Sequence, residues 1–259
     1  MGKFVSLNSS QGIGTIRLDR PPVNALSKEL NQELVQAVRD AEEDSEIRAV
    51  VIHGGERNFA AGGDIAELRG LNAAATLAHM RRAAEAGERL AGIPKPVVAA
   101  LTGYALGGGL ELALCADFRV CGESSQLGMP EILLGIIPGG GGTQRLPRLI
   151  GPTMAKELIY SGRRVRAQEA LDIGLVDAVV PDDEVLDAAR KMASRFVAGP
   201  GLALGAAKRA IDQGLQVDLN KALDIERLEI AALFSTEDRT IGMDSFLEHG
   251  PGKARFVHR

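Results

Sequence analysis

Thirteen of the 31 glycines in this 259-residue chain fall in three short windows, residues 54–63, 103–109 and 135–142. Glycine has no Cβ, so clusters of it mark places where backbone must turn tightly or approach something closely. Two of the windows directly follow short apolar runs, Ile47 to His53 and Val97 to Leu101. There is no G-X-Y period and no low-complexity tract, which excludes collagen and disorder. With 45% hydrophobic and 25% charged residues the chain can bury a full core.

Hydrophobic patterning supplies the scaffold around those windows. Ile13–Leu18 reads as a strand that stops at Arg20-Pro21-Pro22. Ser27 can cap a helix whose apolar positions Leu30, Leu34, Ala37, Val38 and Ala41 keep the 3.6-residue period. Ile47 to His53 is nearly continuous in apolar residues, as in a buried parallel strand. The alternation then repeats: a helix over 73–91, a strand over Val97–Leu101, a helix after Gly107 and a strand over Phe118–Cys121. Short strands interleaved with helices predict an α/β fold. Beyond Asp182 only helical patterns remain, over 183–197, 202–213, 218–234 and 237–248. The expected division is a catalytic core at 1–195 and a helical region at 196–259, whose apolar face (Ile225, Leu228, Ala232, Leu233) must be covered by the core or by another subunit.

Bulk properties exclude several classes of function. A net charge of −4 and a pI near 5.7 argue against a surface built for nucleic acid or anionic lipid. Cys115 and Cys121 fit no zinc or thioredoxin spacing, and the four histidines are scattered, so no metal site is expected. Reduced cysteines and the lack of a signal pattern or membrane span make the cytoplasm the expected compartment. No Walker loop, G-x-G-x-x-G turn or G-x-S-x-G elbow is present, which lowers phosphoryl transfer, nicotinamide chemistry and triad hydrolysis as readings.

The glycine windows carry three candidate segments. Gly107-Gly108-Gly109-Leu110-Glu111 opens a helix, leaving free N–H groups able to hold a ligand oxygen. Glu111 lies three residues after Gly108, on nearly the same face. Taken alone, the segment is equally a tight turn with a dipole-favoured glutamate. In Asn58-Phe59-Ala60-Ala61-Gly62-Gly63-Asp64-Ile65, small residues expose backbone and Asp64 can cap the next helix. In the third, Glu131 is a lone charge before six residues of which five are aliphatic. Its pKa should be raised unless it is paired in a buried salt bridge or cap.

In this order and spacing, the segments resemble the enoyl-CoA hydratase/isomerase (crotonase) family over essentially the whole chain. Pro22-Val23-Asn24-Ala25-Leu26 is similar to the family's CoA-contacting turn, Ala60 to Ile65 and Gly103 to Glu111 to two signature loops, and Pro130 to Leu146 to a third. The resemblance implies a crotonase-like spiral of ββα units with a C-terminal helical region that builds a homotrimer or a dimer of trimers. It implies hydration of 2-enoyl-CoA to 3-hydroxyacyl-CoA as a step of fatty-acid or related acyl breakdown, with coenzyme A carried by the substrate and no separate cofactor. Ala61 and Gly108 match the two N–H donors of an oxyanion hole, Glu111 and Glu131 the acid/base pair, and Gly139 the group that fixes the water. Ala25, Leu26, Ala60, Gly62, Asp64, Ile65 and Pro130 match substrate-contacting positions. Arg57, Lys253 and an aromatic at Phe246 are candidates for the CoA moiety, the last two reaching it from an adjacent subunit. Glutamate at both acid/base positions favours hydration over double-bond isomerisation, which stays compatible. RNA binding, known for a family member with a Lys-rich early helix, is disfavoured, since residues 28–48 hold three basic and seven acidic side chains.

Overall fold

The computed structural model describes residues 2–259. Two sheets share the work. The larger has six strands in the order β1–β2–β3–β5–β7–β10, namely Val5–Ser10, Ile13–Leu18, Ala49–His53, Val97–Leu101, Phe118–Gly122 and Ala178–Val180. Only β1 and β2 pair antiparallel; the remaining neighbours are parallel. The smaller sheet has the order β4–β6–β8–β9, from the very short Ala60–Ala61, Tyr104–Leu106, Gln126–Gly128 and Arg164–Arg166. From β3 onward, each of three successive turns of chain gives one strand to the large sheet and the next to the small one. Helices follow: α2 (Ile65–Leu68) and α3 (Ala73–Gly92) after β4, and α4 (Gly108–Ala113) after β6. This is the ββα spiral that the resemblance implies.

The middle strands of the large sheet, β3 and β5, are buried on both faces, so they read as nearly continuous apolar runs. Every residue of β3 and β5 is buried. Alternate side chains go to opposite faces. Val50, Ile52, Val97 and Ala99 join the main core with α1 (Lys28–Glu43), while Ala49, Val51, Val98 and Ala100 pack under α8 (Val185–Val197). Ser27 caps α1 as expected, accepting the Leu30 N–H. β3 starts at Ala49 rather than Ile47, because the Ile47 and Arg48 N–H groups are spent on the Asp44 and Gly12 carbonyls of a turn.

The 130s and 140s form a 3₁₀ turn (Pro130–Leu134) and α5 (Gly142–Ile150), followed by α6 (Pro152–Ser161) and α7 (Ala167–Asp172). After β10 the chain is helical, with α9 (Gly201–Gly214), α10 (Leu219–Leu233) and α11 (Glu237–His249) following α8. α9 and α10 pack on each other and are joined by an Arg209–Glu229 pair at 2.6 Å. α10 buries no residue fully, and Leu228 is 72% exposed. Among the described residues, no helix is long and apolar enough to cross a membrane.

Leu34 on α1 is fully buried in the main core. Leu34→Ala is expected to lower the unfolding free energy by about 2–5 kcal/mol, measured by urea denaturation.

Candidate active site

The small sheet decides where the three glycine windows meet. Its parallel register sets Ala61 beside Leu106 and Leu106 beside Gly128, one row across β4, β6 and β8. The chain leaves that row at adjacent points, into Gly62-Gly63-Asp64, Gly107-Gly108 and Met129-Pro130-Glu131. These loops, Leu26 and one face of α3 enclose a cavity of about 280 Å³. Ala61, Gly62, Gly63, Ile65, Gly108, Glu111, Pro130, Glu131 and Gly139 all line it.

The turn at 20–26 is tied down before it reaches the cavity. Asn24 takes a left-handed φ of 53°, and its amide donates to the Gly54, Asn58 and Phe59 carbonyls at 2.8, 3.0 and 3.0 Å. The Ala25 carbonyl accepts from Arg20 at 3.0 Å. Leu26 then forms an isolated parallel bridge with Gly63: the Leu26 N–H donates to Gly62, and the Asp64 N–H donates to Leu26. Alternate groups along an extended segment point to opposite sides, so the intervening Gly63 N–H is turned away from Leu26.

Sequence matching places an oxyanion donor at Ala61, and the structure corrects this. The Ala61 N–H already donates to the Val23 carbonyl at 2.9 Å. Among the described residues, the N–H groups of Gly63 and Gly108 donate to no protein acceptor. A Cβ built on Gly108 would lie 3.4 Å from the Gly63 nitrogen, so the two peptide groups are neighbours at the cavity wall. The first N–H of α4 also lies at the positive end of a short helix. Gly63 was missed because β4 is two small residues long and carries no readable strand period; the signal available was only its place before the Asp64 cap.

Ala60 is likewise a packing residue. It is fully buried, does not line the cavity, and its carbonyl presses against Gly109, leaving no room there for a Cβ. Asp64 caps α2 through the Ala66 N–H at 3.0 Å and pairs with Arg20 at 2.7 Å. Burial would raise its pKa, but Arg20 and the cap hydrogen bond outweigh that and hold it below the usual value. Its carboxylate is therefore spent on structure, and it does not line the cavity. Arg57, Phe246 and Lys253 are exposed and do not line the cavity.

The two glutamates are brought together with opposite degrees of support. Glu111 is 6% exposed, and its Oε1 accepts the Gly140 and Gly142 N–H groups at 2.8 Å each. Burial raises its pKa, and those two donors pull back toward the charged form. A Cβ at position 140 would sit 2.8 Å from Glu111 Oε2 and would push the carboxylate out of place. Glu131 Oε2 is buried with no hydrogen-bond partner. Burial pushes its carboxyl up to about 7; its own backbone N–H opposes this, and the charge of Glu111 adds to it. Gly107, at φ 52°, keeps the space beside Glu131 Oε1 open. The Gly139 N–H is also without a protein acceptor. The cavity thus offers two N–H donors at one wall, and at another a well-supported carboxylate with a carboxyl poised near neutrality. That combination suits stabilising an enolate while moving a proton.

Residues 8–256 match the family model for enoyl-CoA hydratase/isomerase. The chain belongs to the enoyl-CoA hydratase/isomerase family. It is 38% identical to a crotonyl-CoA hydratase of Syntrophomonas wolfei, with 98% of each chain covered. It is 39% identical to a short-chain-enoyl-CoA hydratase of Clostridium acetobutylicum over 94% of each. The crystal structure of an enoyl-CoA hydratase from Bacillus anthracis superposes with a TM-score of 0.92 at 39% identity, covering 99% of this chain and 100% of that one.

A carboxyl whose folded pKa lies above its unfolded value of 4.5 stabilises the fold fully below that value and loses the contribution as pH rises to about 7. Glu131→Gln removes this loss. The variant is expected to melt higher than the parent at pH 8, by on the order of 1 kcal/mol or more, with the gap closing toward pH 4. Thermal melts across that range check it.

Proposed function

We propose that this family member hydrates 2-enoyl-CoA thioesters to 3-hydroxyacyl-CoA. The carrying observation is the pairing of two acceptor-free N–H groups, at Gly63 and Gly108, with two glutamates, one buried and one half-buried, across one cavity. The thioester oxygen accepts from Gly63 and Gly108, which draws electron density from the conjugated double bond and makes Cβ electrophilic. Each such donor is worth roughly 10²–10³ in rate. Water sits between the carboxyl groups, with the Gly139 N–H as a further anchor. Glu111, its Oε1 fixed by the Gly140 and Gly142 N–H groups, takes a proton as the water oxygen bonds to Cβ. The enolate, its charge on the thioester oxygen, then accepts the Glu131 proton at Cα. The reaction is redox-neutral and as written needs no cofactor beyond the CoA that belongs to the substrate.

The CoA arm enters past Leu26 and Ile65, both at the cavity edge. Arg57, with Phe246 and Lys253 from an adjacent copy, is assigned to the nucleotide end. The exposed apolar side chains of α9 and α10, Ile211, Leu228 and Ile230 among them, with Leu215 at the end of α9, support burial in a homotrimer or a dimer of trimers. The two free cysteines fit a reducing, cytoplasmic compartment.

Loss of the conjugated-thioester absorbance of crotonyl-CoA tests the activity directly. Glu111→Gln and Glu131→Gln are each expected to lower kcat by about 10²–10⁴. The parent's hydration kcat/KM is expected to fall as pH rises above about 7, because Glu131 must be protonated to act. Parent-like turnover in either variant would move the chemistry to other groups. Light scattering is expected to give three or six times the 27.3 kDa chain mass; a monomer at micromolar concentration would refute the assembly.

A further inference from the structure

A second cavity lies behind the catalytic one. It holds about 730 Å³ and shares Ala84, Cys115, Gly139 and Gly140 with the catalytic cavity. None of these four carries a side chain larger than a thiol. Ala84 comes from the middle of α3, Cys115 from just past α4, and the two glycines from the loop before α5. The thiol is held in place, donating to the Glu111 carbonyl at 3.3 Å. The glycines present bare backbone: Gly140 lies beside Glu111 Oε2, and the Gly139 N–H has no protein acceptor. The two cavities therefore meet across small groups, next to the atoms assigned to the reacting water.

Their linings differ. Leu26, Ile65, Leu134, Ile136 and Ile137 wall the catalytic cavity with apolar surface that suits a thioester and its acyl chain. The rear cavity is walled by Glu88, Gln144, Arg145, Lys208, Asp212 and Gln216 among others. Charged and amide side chains around a space of that size hold water, whereas dry cavities are apolar. Glu88, Gln144, Asp212 and Gln216 are exposed, so the rear cavity reaches the surface through residues that do not line the catalytic one. Hydration consumes one water for each thioester, and the reverse reaction releases one. With acyl-CoA seated past Leu26 and Ile65, the apolar mouth is occupied when that water must arrive or leave.

We propose that the reacting water enters and leaves through the gap framed by Ala84, Cys115, Gly139 and Gly140, by way of the rear cavity, while the thioester stays bound. The inference rests on the hydratase reading above. It gives the two substrates separate entrances, the thioester by the apolar front and water by the polar rear. In the dehydration direction the Cβ–O bond of 3-hydroxyacyl-CoA breaks, the α-proton passes to Glu131, and the departing hydroxide takes a proton from Glu111 to leave as water. A fresh water from the rear cavity then adds to the same enoyl-CoA.

The test is isotope exchange at chemical equilibrium between crotonyl-CoA and 3-hydroxybutyryl-CoA. Loss of heavy oxygen from the hydroxyl group reports water exchange, and passage of heavy carbon from crotonyl-CoA into 3-hydroxybutyryl-CoA reports thioester release; mass spectrometry follows both. Product release commonly limits turnover, so a water with its own exit exchanges repeatedly during each residence of the thioester. The parent is expected to exchange oxygen severalfold faster than carbon. Ala84→Leu, which fills the gap, is expected to bring that ratio down toward one, and Ala84→Val makes the same test with a smaller side chain. Ala83→Leu crowds the catalytic cavity without touching the rear one and is expected to keep the parent ratio. Both rates come from one sample, so the ratio cancels loss of active protein, and a thermal melt shows that each variant is folded. An oxygen-to-carbon ratio of one or less in the parent, a ratio unmoved by filling position 84, or one lowered as much by Ala83→Leu, overturns the rear entrance and leaves the hydratase reading standing. No exchange of either label overturns the hydratase reading itself.

Discussion

The in-register parallel pairing of three very short strands carries the site. β4, β6 and β8 are two or three residues long, and they align Ala61, Leu106 and Gly128 in a single row. Segments far apart in the chain thereby end side by side, and their next residues become one cavity wall. Slipping the register by a single residue would turn each loop to the opposite side. Strands this short are not stable alone, so the large sheet behind them must hold the register. Its β3, β5 and β7 belong to the same three turns of chain, and their buried residues pack between the main core and α8.

Electrostatics divides the labour between two carboxyl groups in one cavity. Glu111 is buried and Glu131 half-buried, and the Oε1 of Glu111 accepts two backbone N–H groups, from Gly140 and Gly142. Glu131 receives no such support at Oε2 and feels the charge of Glu111. Burial raises the proton affinity of both carboxyl groups, to about 7 for Glu131, while two backbone donors oppose the rise at Glu111, an arrangement that suits an acid and a base working as a pair. Glycine is the permissive residue throughout. At Gly107 and Gly140 a Cβ would occupy the space that the carboxylates need.

Much of the framework was legible in the sequence, because β3 and β5 are continuous apolar runs and α1 announces itself by its Ser27 cap and its period. Glu111, Glu131, Gly108 and Gly139 were reached through motif order and do line one cavity. The small sheet was not legible, since two or three small residues show no alternation, and so the donor was assigned to Ala61 instead of Gly63. Asp64 and Ala60 shared that error of scale: they stand beside the site in sequence, yet their polar groups are consumed by Arg20, the α2 cap and α4 packing.

Polarisation of a thioester carbonyl by the Gly63 and Gly108 N–H groups is read from the carbonyl stretching band of an isotopically labelled enoyl-CoA, recorded by difference infrared spectroscopy free and bound. The band is expected at lower frequency on binding, because two hydrogen bonds lengthen the C=O bond in the ground-state complex. A band at the same frequency as in water would contradict it.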